Sequence, residues 1–195
     1  MAALETVIEV HVLAVGLVLF GLLDGFVRNL HAIARGAELE PITQCALPPT
    51  TTKLNKPGIA LANLAGVHAL TDITGFGLAG HSLELARGAK CSVQIDWAKV
   101  PMLSGVREMA ANGMVTGASG RNWEGYGRDV SLPEGFAAAD RALLTDPQTS
   151  GGLLVACAPD AVEAVLSIFR ADGFASAAVI GSVVEAQGAS GSGRV

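Results

Sequence analysis

The sequence predicts an α+β layered domain, and three observations carry that expectation. Helix-like and strand-like segments alternate without a regular βαβ period, which argues against a doubly wound parallel sheet. Half of the 195 residues are hydrophobic and only 16% are charged, enough apolar surface for a sizeable core. The 24 glycines and the 5% aromatic content suit an Ala/Gly/Val-rich protein with many close backbone contacts.

The amino terminus is the least ordinary part. Val7 to Leu23 is nearly all apolar, broken only by Glu9 and His11. The uninterrupted run from Val12 to Leu23 is shorter than the ~20 residues that a membrane helix needs. Glu5 and Glu9 stand where a signal peptide would carry positive charge. A buried helix or strand is therefore expected rather than a membrane span, although Arg28 and Arg35 beyond the run are compatible with a single-pass anchor. In the layout of the chain, residues 1–35 read as an apolar helix broken near Asp24-Gly25. Glu40-Pro41 and Pro48-Pro49-Thr50-Thr51-Thr52 mark a linker. This divides the chain into an apolar leader and linker over 1–53, a domain over 54–185 and a Gly/Ser-rich flexible tail over 186–195.

Within the domain, a helix is expected from Lys56 to Leu64 and a short strand from Val67 to Thr71. A second helix follows from Leu78 to Ala89, with Gly88 as its stop signal. Ser92 to Asp96 alternates as a half-buried strand does. A short helix from Leu103 to Asn112 ends at Gly113, and Gly117 to Asp129 reads as a glycine-rich loop. Leu153 to Cys157 is a buried strand, Pro159 to Gly173 a helix with Pro and Asp in its first turn, and Ala177 to Val184 a last strand.

Net charge is −5 with no basic block, which excludes a nucleic-acid-binding surface of the usual kind. Cys45, Cys91 and Cys157 are odd in number and scattered, so they define neither a zinc site nor a disulfide framework, and a reducing cytoplasm is the expected compartment.

The chemistry is concentrated in two loops. The first is Thr71-Asp72-Ile73-Thr74-Gly75-Phe76-Gly77, followed by His81 and Glu84. A carboxylate at the end of an apolar strand can hold a hard cation, while Gly75 and Gly77 let backbone N–H groups approach a phosphate. Thr71 and Thr74 either join that site or hold the loop. The same residues also fit a plain strand–turn junction in which Asp72 caps the next helix. The second loop is Asp146-Pro147-Gln148-Thr149-Ser150-Gly151-Gly152. Backbone amides from Ser150 to Gly152, with Thr149 beside them, could form an anion nest; Asp146 could equally bond the amides of Gln148 and Thr149 as a cap. A lone His81 on the helix after the first loop reads as a structural hydrogen-bonder rather than a catalyst.

The two loops together, in this order, resemble the carboxy-terminal domain of selenophosphate synthetase (selenide, water dikinase), one of the aminoimidazole-ribonucleotide-synthetase-like ATP enzymes. The resemblance runs from about Leu54 to Glu185. It takes in Leu54-Asn55-Lys56-Pro57-Gly58, Gly66-Val67-His68-Ala69-Leu70, Gly80-His81 with Glu84, Ile95-Asp96, Val100-Pro101, Gly120-Arg121-Asn122 and Ala178-Val179-Ile180-Gly181. Asp-Pro-Gln-Thr-Ser-Gly-Gly is its most family-specific piece and disfavours a hydrogenase-maturation or thiamine-phosphate kinase domain.

The resemblance implies a layered α/β/α domain with a mixed sheet, a possible homodimer, and ATP and Mg²⁺ as ligands. Asp72 becomes the metal ligand. Thr71, Thr74, Gly75, Gly77, Asn122, Thr149, Ser150, Gly151 and Gly152 become the nucleotide side, with no catalytic residue of its own. Where the family usually shows Pro-Gly-Gly-Thr before that Asn, this chain has Thr116-Gly117-Ala118-Ser119-Gly120, so a distorted loop is expected if Ala118 needs a positive φ. Residues 1–53 lack the family's reactive Cys with a nearby Lys, its glycine-rich loop and its other Mg²⁺-binding acids. The expectation is therefore a carboxy-terminal half, inactive alone and acting on ATP and selenide only when an amino-terminal half is supplied. A non-catalytic nucleotide- or partner-binding remnant is the alternative.

Overall fold

The computed structural model describes residues 8–12, 53–148 and 151–186. The expected helix over 13–35, the linker up to Thr52, Thr149 and Ser150, and the tail from 187 lie outside the described residues.

A five-stranded sheet forms the middle layer. Its strands are β1 (Ile8–Val12), β2 (Val67–Asp72), β3 (Cys91–Ile95), β4 (Leu153–Cys157) and β5 (Ala178–Glu185), in the spatial order β2-β4-β1-β5-β3. Each adjacent pair is antiparallel. The α+β class therefore stands, but the sheet is antiparallel throughout these pairings where a mixed one was expected. No neighbouring pair of strands is joined by the right-handed crossover that a parallel pair needs.

Among the described residues the helices are α1 (Pro57–Ala62), α2 (Gly77–Ala89), α3 (Val106–Ala111), α4 (Gly117–Tyr126), α5 (Ala138–Leu144) and α6 (Val162–Ala171). They divide between the faces of the sheet, giving α/β/α layers. The alternation along β4 shows why. Leu154 and Ala156 point into a core with Leu78, Ala79, Ala86, Val106, Leu143 and Leu144, from α2, α3 and α5. Leu153, Val155 and Cys157 point the other way, against Leu61 of α1 and Val165, Leu166 and Phe169 of α6. A strand buried on both faces reads as a continuous apolar run, which is what Leu-Leu-Val-Ala-Cys is. Phe169 and Phe174 meet edge to face at 6.2 Å and close the end of the second core.

Three local expectations are corrected. Residues 8–12, read as part of an apolar helix, form β1, and β1 lies between β4 and β5 rather than outside the domain. The alternation of Ile8-Glu9-Val10-His11-Val12 is the period of a strand, and it differs from the unbroken apolar run after Val12 with which it was grouped. Gly117 to Asp129, read as a loop, is helix α4 followed by a 3₁₀ turn over Gly127–Asp129. The Thr116 hydroxyl oxygen caps α4 by accepting from Ser119 N–H at 3.1 Å, and the Ser119 hydroxyl donates to the Ala142 carbonyl at 2.7 Å. These tertiary bonds outweigh the poor helix propensity of the glycines. Finally, α2 ends at Ala89 as expected, but the stop is supplied by Lys90 (φ 54°) in the left-handed capping position and not by Gly88.

Among the described residues no helix is long and apolar enough to cross a membrane.

Candidate functional site

The two sequence loops lie against each other. β2 delivers Asp72 opposite Leu153 of β4, so the chain leaving β2 and the chain entering β4 run side by side. Ile73 N–H donates to the Gly152 carbonyl at 2.9 Å, and Gln148 N–H donates to the Thr74 carbonyl at 2.9 Å. Contact is too close for side chains at two points. A β-carbon on Gly151 would lie 1.7 Å from the Ile73 carbonyl oxygen, and one on Gly77 (φ +68°) would lie 2.7 Å from the Thr145 carbonyl carbon. Gly75 has open space around it, so crowding does not require a glycine there.

Side chains then fix the first loop from outside. His81 Nε2 accepts from Thr74 N–H at 2.9 Å and lies 3.1 Å from Thr74 Oγ1, while His81 Nδ1 sits 2.8 Å from Glu84 Oε2. Asn122 Nδ2 donates to the carbonyls of Gly75 (2.9 Å) and Thr145 (3.0 Å), bridging the two loops. The Tyr126 hydroxyl donates to the Phe76 carbonyl, and burial pushes the phenol pKa up. Asn55 Nδ2 donates to the Gly151 carbonyl at 2.9 Å and steadies the second loop.

What remains unpaired on this braced turn is informative. Asp72 is exposed, and among the described residues its carboxylate has no hydrogen-bond or ion-pair partner. Nor does any described acceptor meet the N–H groups of Gly75 and Phe76. The helix-cap alternative for Asp72 is therefore not what forms, since Thr74 N–H is taken by His81. Thr71 Oγ1 bonds only the neighbouring Asp72 carbonyl at 3.2 Å, and Thr71 is half-buried. An exposed carboxylate beside free backbone donors fits a Mg²⁺ ion held by one protein oxygen, with phosphate oxygens and water filling its other positions. Among the described residues no group of three or more His, Cys, Asp or Glu side chains could hold a metal.

Beneath the loops lies a buried polar layer that sequence reading did not foresee: Thr116, Ser119, Thr145, Asp146 and Gln148. Asp146 is only 5% exposed, and its Oδ1 accepts from the Thr116 hydroxyl at 2.9 Å. Burial pushes the carboxyl up to about 7, with the Thr116 bond partly opposing the shift. Of the two roles open to Asp146, the cap on the Gln148 amide does not form, because Gln148 N–H serves the Thr74 carbonyl and its side-chain amide donates to the Asp146 backbone carbonyl at 2.9 Å. The Thr149 amide lies outside the described residues. Ala118 lies in the first turn of α4 and has no positive φ, so the departure from Pro-Gly-Gly-Thr distorts nothing there. Of the expected nucleotide-side residues, Thr71, Thr74, Gly75, Gly77, Asn122, Gly151 and Gly152 converge on this one corner, while Thr149 and Ser150 fall outside the described residues. Tyr126 and Asn55 were missed, and nothing in their local sequence signals a role at a loop so distant in the chain.

Comparison with known proteins agrees with this layout. Residues 9–193 match the family model described as AIR synthase related protein, C-terminal domain. The chain is 58% identical over 156 residues to a selenide, water dikinase of Burkholderia ambifaria (strain MC40-6), covering 80% of this chain and 44% of the relative. It is 63% identical over 136 residues to the selenide, water dikinase of Burkholderia pseudomallei (strain K96243), covering 70% of this chain and 38% of the relative. The chain thus spans less than half the length of these curated relatives. A crystal structure of the hydrogenase maturation protein HypE shares the fold with a TM-score of 0.57 at 17% identity, over 94% of this chain and 47% of that one. A HypE structure in complex with ATP gives 0.56 at 18% identity, over 92% and 43%.

Proposed function

The chain belongs to the AIR-synthase-related family, whose C-terminal domain it carries, and we propose that it acts as the carboxy-terminal half of a selenophosphate synthetase. The reaction of such an enzyme is ATP, selenide and water to selenophosphate, AMP and phosphate. The observation that carries the reading is the braced turn with its unpaired Asp72 carboxylate and the free N–H groups of Gly75 and Phe76. Identities of 58% and 63% to selenide, water dikinases support the substrate class, and the ATP complex of a protein with this fold supports the nucleotide.

In this reading Asp72 contributes one oxygen to a Mg²⁺ ion, and the N–H groups of Gly75 and Phe76 receive phosphate oxygens. The ion supplies charge neutralisation to phosphoryl transfer, which depends chiefly on positioning and electrostatics. Asn122 acts by bridging the loops, since both reach its amide nitrogen. Further carboxylates, and the Cys and Lys of the resemblance, come from the portion of the relatives outside the match.

The test is complementation. The chain is mixed with the part of the Burkholderia pseudomallei relative that lies outside the match, and selenide-dependent AMP formation from ATP is followed with Mg²⁺ present. Turnover is expected from the mixture and from neither part alone. AMP formation by the chain by itself would overturn the half-enzyme reading. Nucleotide binding by the mixture without turnover would point instead to a binding domain that has no reaction of its own.

A further inference from the structure

We propose that His81 is the positioning residue of the first loop, holding Thr74 by an imidazole locked in one tautomer so that Asp72 and the free N–H groups of Gly75 and Phe76 keep one geometry. This rests on the nucleotide reading above and assigns that site its internal support.

The tautomer follows from the partners. A backbone N–H can only donate, so the Nε2 atom facing Thr74 N–H at 2.9 Å presents its lone pair. The proton of the neutral ring is therefore on Nδ1, where Glu84 Oε2 accepts it at 2.8 Å. The Thr74 hydroxyl, 3.1 Å from Nε2, shares the same lone pair. His81 is 6% exposed, whereas the Glu84 side chain is 52% exposed. One member of the pair is thus packed into the fold and the other reaches out to orient it. Because α2 places His81 and Glu84 three residues apart on one face, the helix itself aligns carboxylate, ring and loop.

The bonds around the loop are not equivalent. Asn122 and Tyr126 pull on carbonyls, those of Gly75 and Phe76. His81 is the side chain that takes up a loop N–H, and it does so on the residue just before the free donors. Without that acceptor the Thr74 N–H loses its partner, and on this exposed turn the peptide plane can rotate toward water. Turning it re-aims the following amides as well, because they share the same short turn. Both ring nitrogens are already committed, so His81 acts through the loop and not on a ligand.

Three variants of the full chain test this: His81→Leu, His81→Gln and Glu84→Ala. Gln can return an acceptor oxygen toward Thr74; Leu cannot. Ring ¹⁵N shifts of wild type report the tautomer, Thr74 amide exchange reports the bond, and Mg·ADP affinity is measured on the complemented protein. The expected result is an Nδ1–H ring, fast Thr74 exchange in His81→Leu with roughly tenfold weaker Mg·ADP binding, and recovery of most of both in His81→Gln. Glu84→Ala is expected to mix the tautomers and weaken binding less. An Nε2–H ring in wild type, or unchanged Thr74 exchange in both His81→Leu and Glu84→Ala, overturns the proposal. Should His81→Leu fail to fold, the Gln and Glu84→Ala variants carry the same decision. If the wild-type complex binds no Mg·ADP, the nucleotide reading fails, while the tautomer and exchange readouts still judge the clamp.

Discussion

Gly151 lies directly over the carbonyl of Ile73, with room for a hydrogen and nothing larger: a β-carbon would come within 1.7 Å of that oxygen. The partner atom is backbone of a sheet-anchored segment, so it has little freedom to withdraw. Gly151→Ala is expected to destabilise the protein by about 3 kcal/mol or more, from overpacking and loss of the neighbouring Ile73–Gly152 hydrogen bond. Chemical denaturation checks this. A cost under about 0.5 kcal/mol, the range of an ordinary surface change, would mean that the two loops are not in contact.

Asp72→Asn separates ligand binding from stability. The carboxylate is exposed and has no partner among the described residues, so its loss removes no intramolecular bond. The melting temperature should shift by no more than a degree or two, on the scale of surface substitutions, while Mg·ADP affinity of the complemented protein falls. A variant destabilised by the ~1 kcal/mol typical of a lost cap, with nucleotide affinity unchanged, would restore the turn-cap role.

Asp146 gives the protein a pH dependence of predictable sign. Its carboxyl is raised from 3.8 to about 7 in the folded state, so between those values the native state holds a proton that the unfolded chain has released. Its stabilising contribution is therefore complete below about pH 4 and is lost as the pH rises through about 7. In Asp146→Asn that decline should disappear, with the stabilities of the two proteins diverging most above pH 7. Urea melts at pH 5 and pH 8 measure it. Parallel behaviour of wild type and variant would show that Asp146 is ionised without penalty.

Deleting residues 1–52 should abolish the cooperative melt. β1 pairs with β4 on one side and β5 on the other, so its removal leaves facing strand edges without partners in the centre of the sheet. A soluble, sharply melting remnant would show that the sheet closes without it. Light scattering alongside the melt distinguishes unfolding from edge-to-edge association.

The distribution of what could be read from the sequence has physical causes. Most strands and helices between 57 and 185 were legible because their apolar periods are clean and because Pro57 and Pro159 mark helical starts. Each loop was legible as a candidate site, since Asp and Gly at strand ends signal close backbone approach. The bonds Ile73–Gly152 and Gln148–Thr74 that join them have no local signal, and only the resemblance linked the two loops. Helix α4 was not legible, because its glycines argue locally for a loop and its stability comes from Ser119 and Asn122 reaching residues far along the chain. The same holds for Tyr126, whose partner Phe76 is set by the fold alone. β1 was legible but overridden: Ile8-Glu9-Val10-His11-Val12 alternates as a strand does, and the unbroken apolar run that follows from Val12 drew it into a helix. The polar layer under the loops was hidden because buried Thr and Ser look like ordinary loop residues until their neighbours are known.

The place of β1 has a consequence for how the protein comes into being. Its partners, β4 and β5, are the last of the described strands, so a ribosome makes the middle of the sheet before its neighbours. Throughout elongation that apolar segment has nowhere to dock, and the sheet can close only once β5 has emerged. Folding of this sheet is thus expected to be slow, as non-local strand pairing dictates. Until then the facing edges of β4 and β5 that β1 will join are open to pairing between chains.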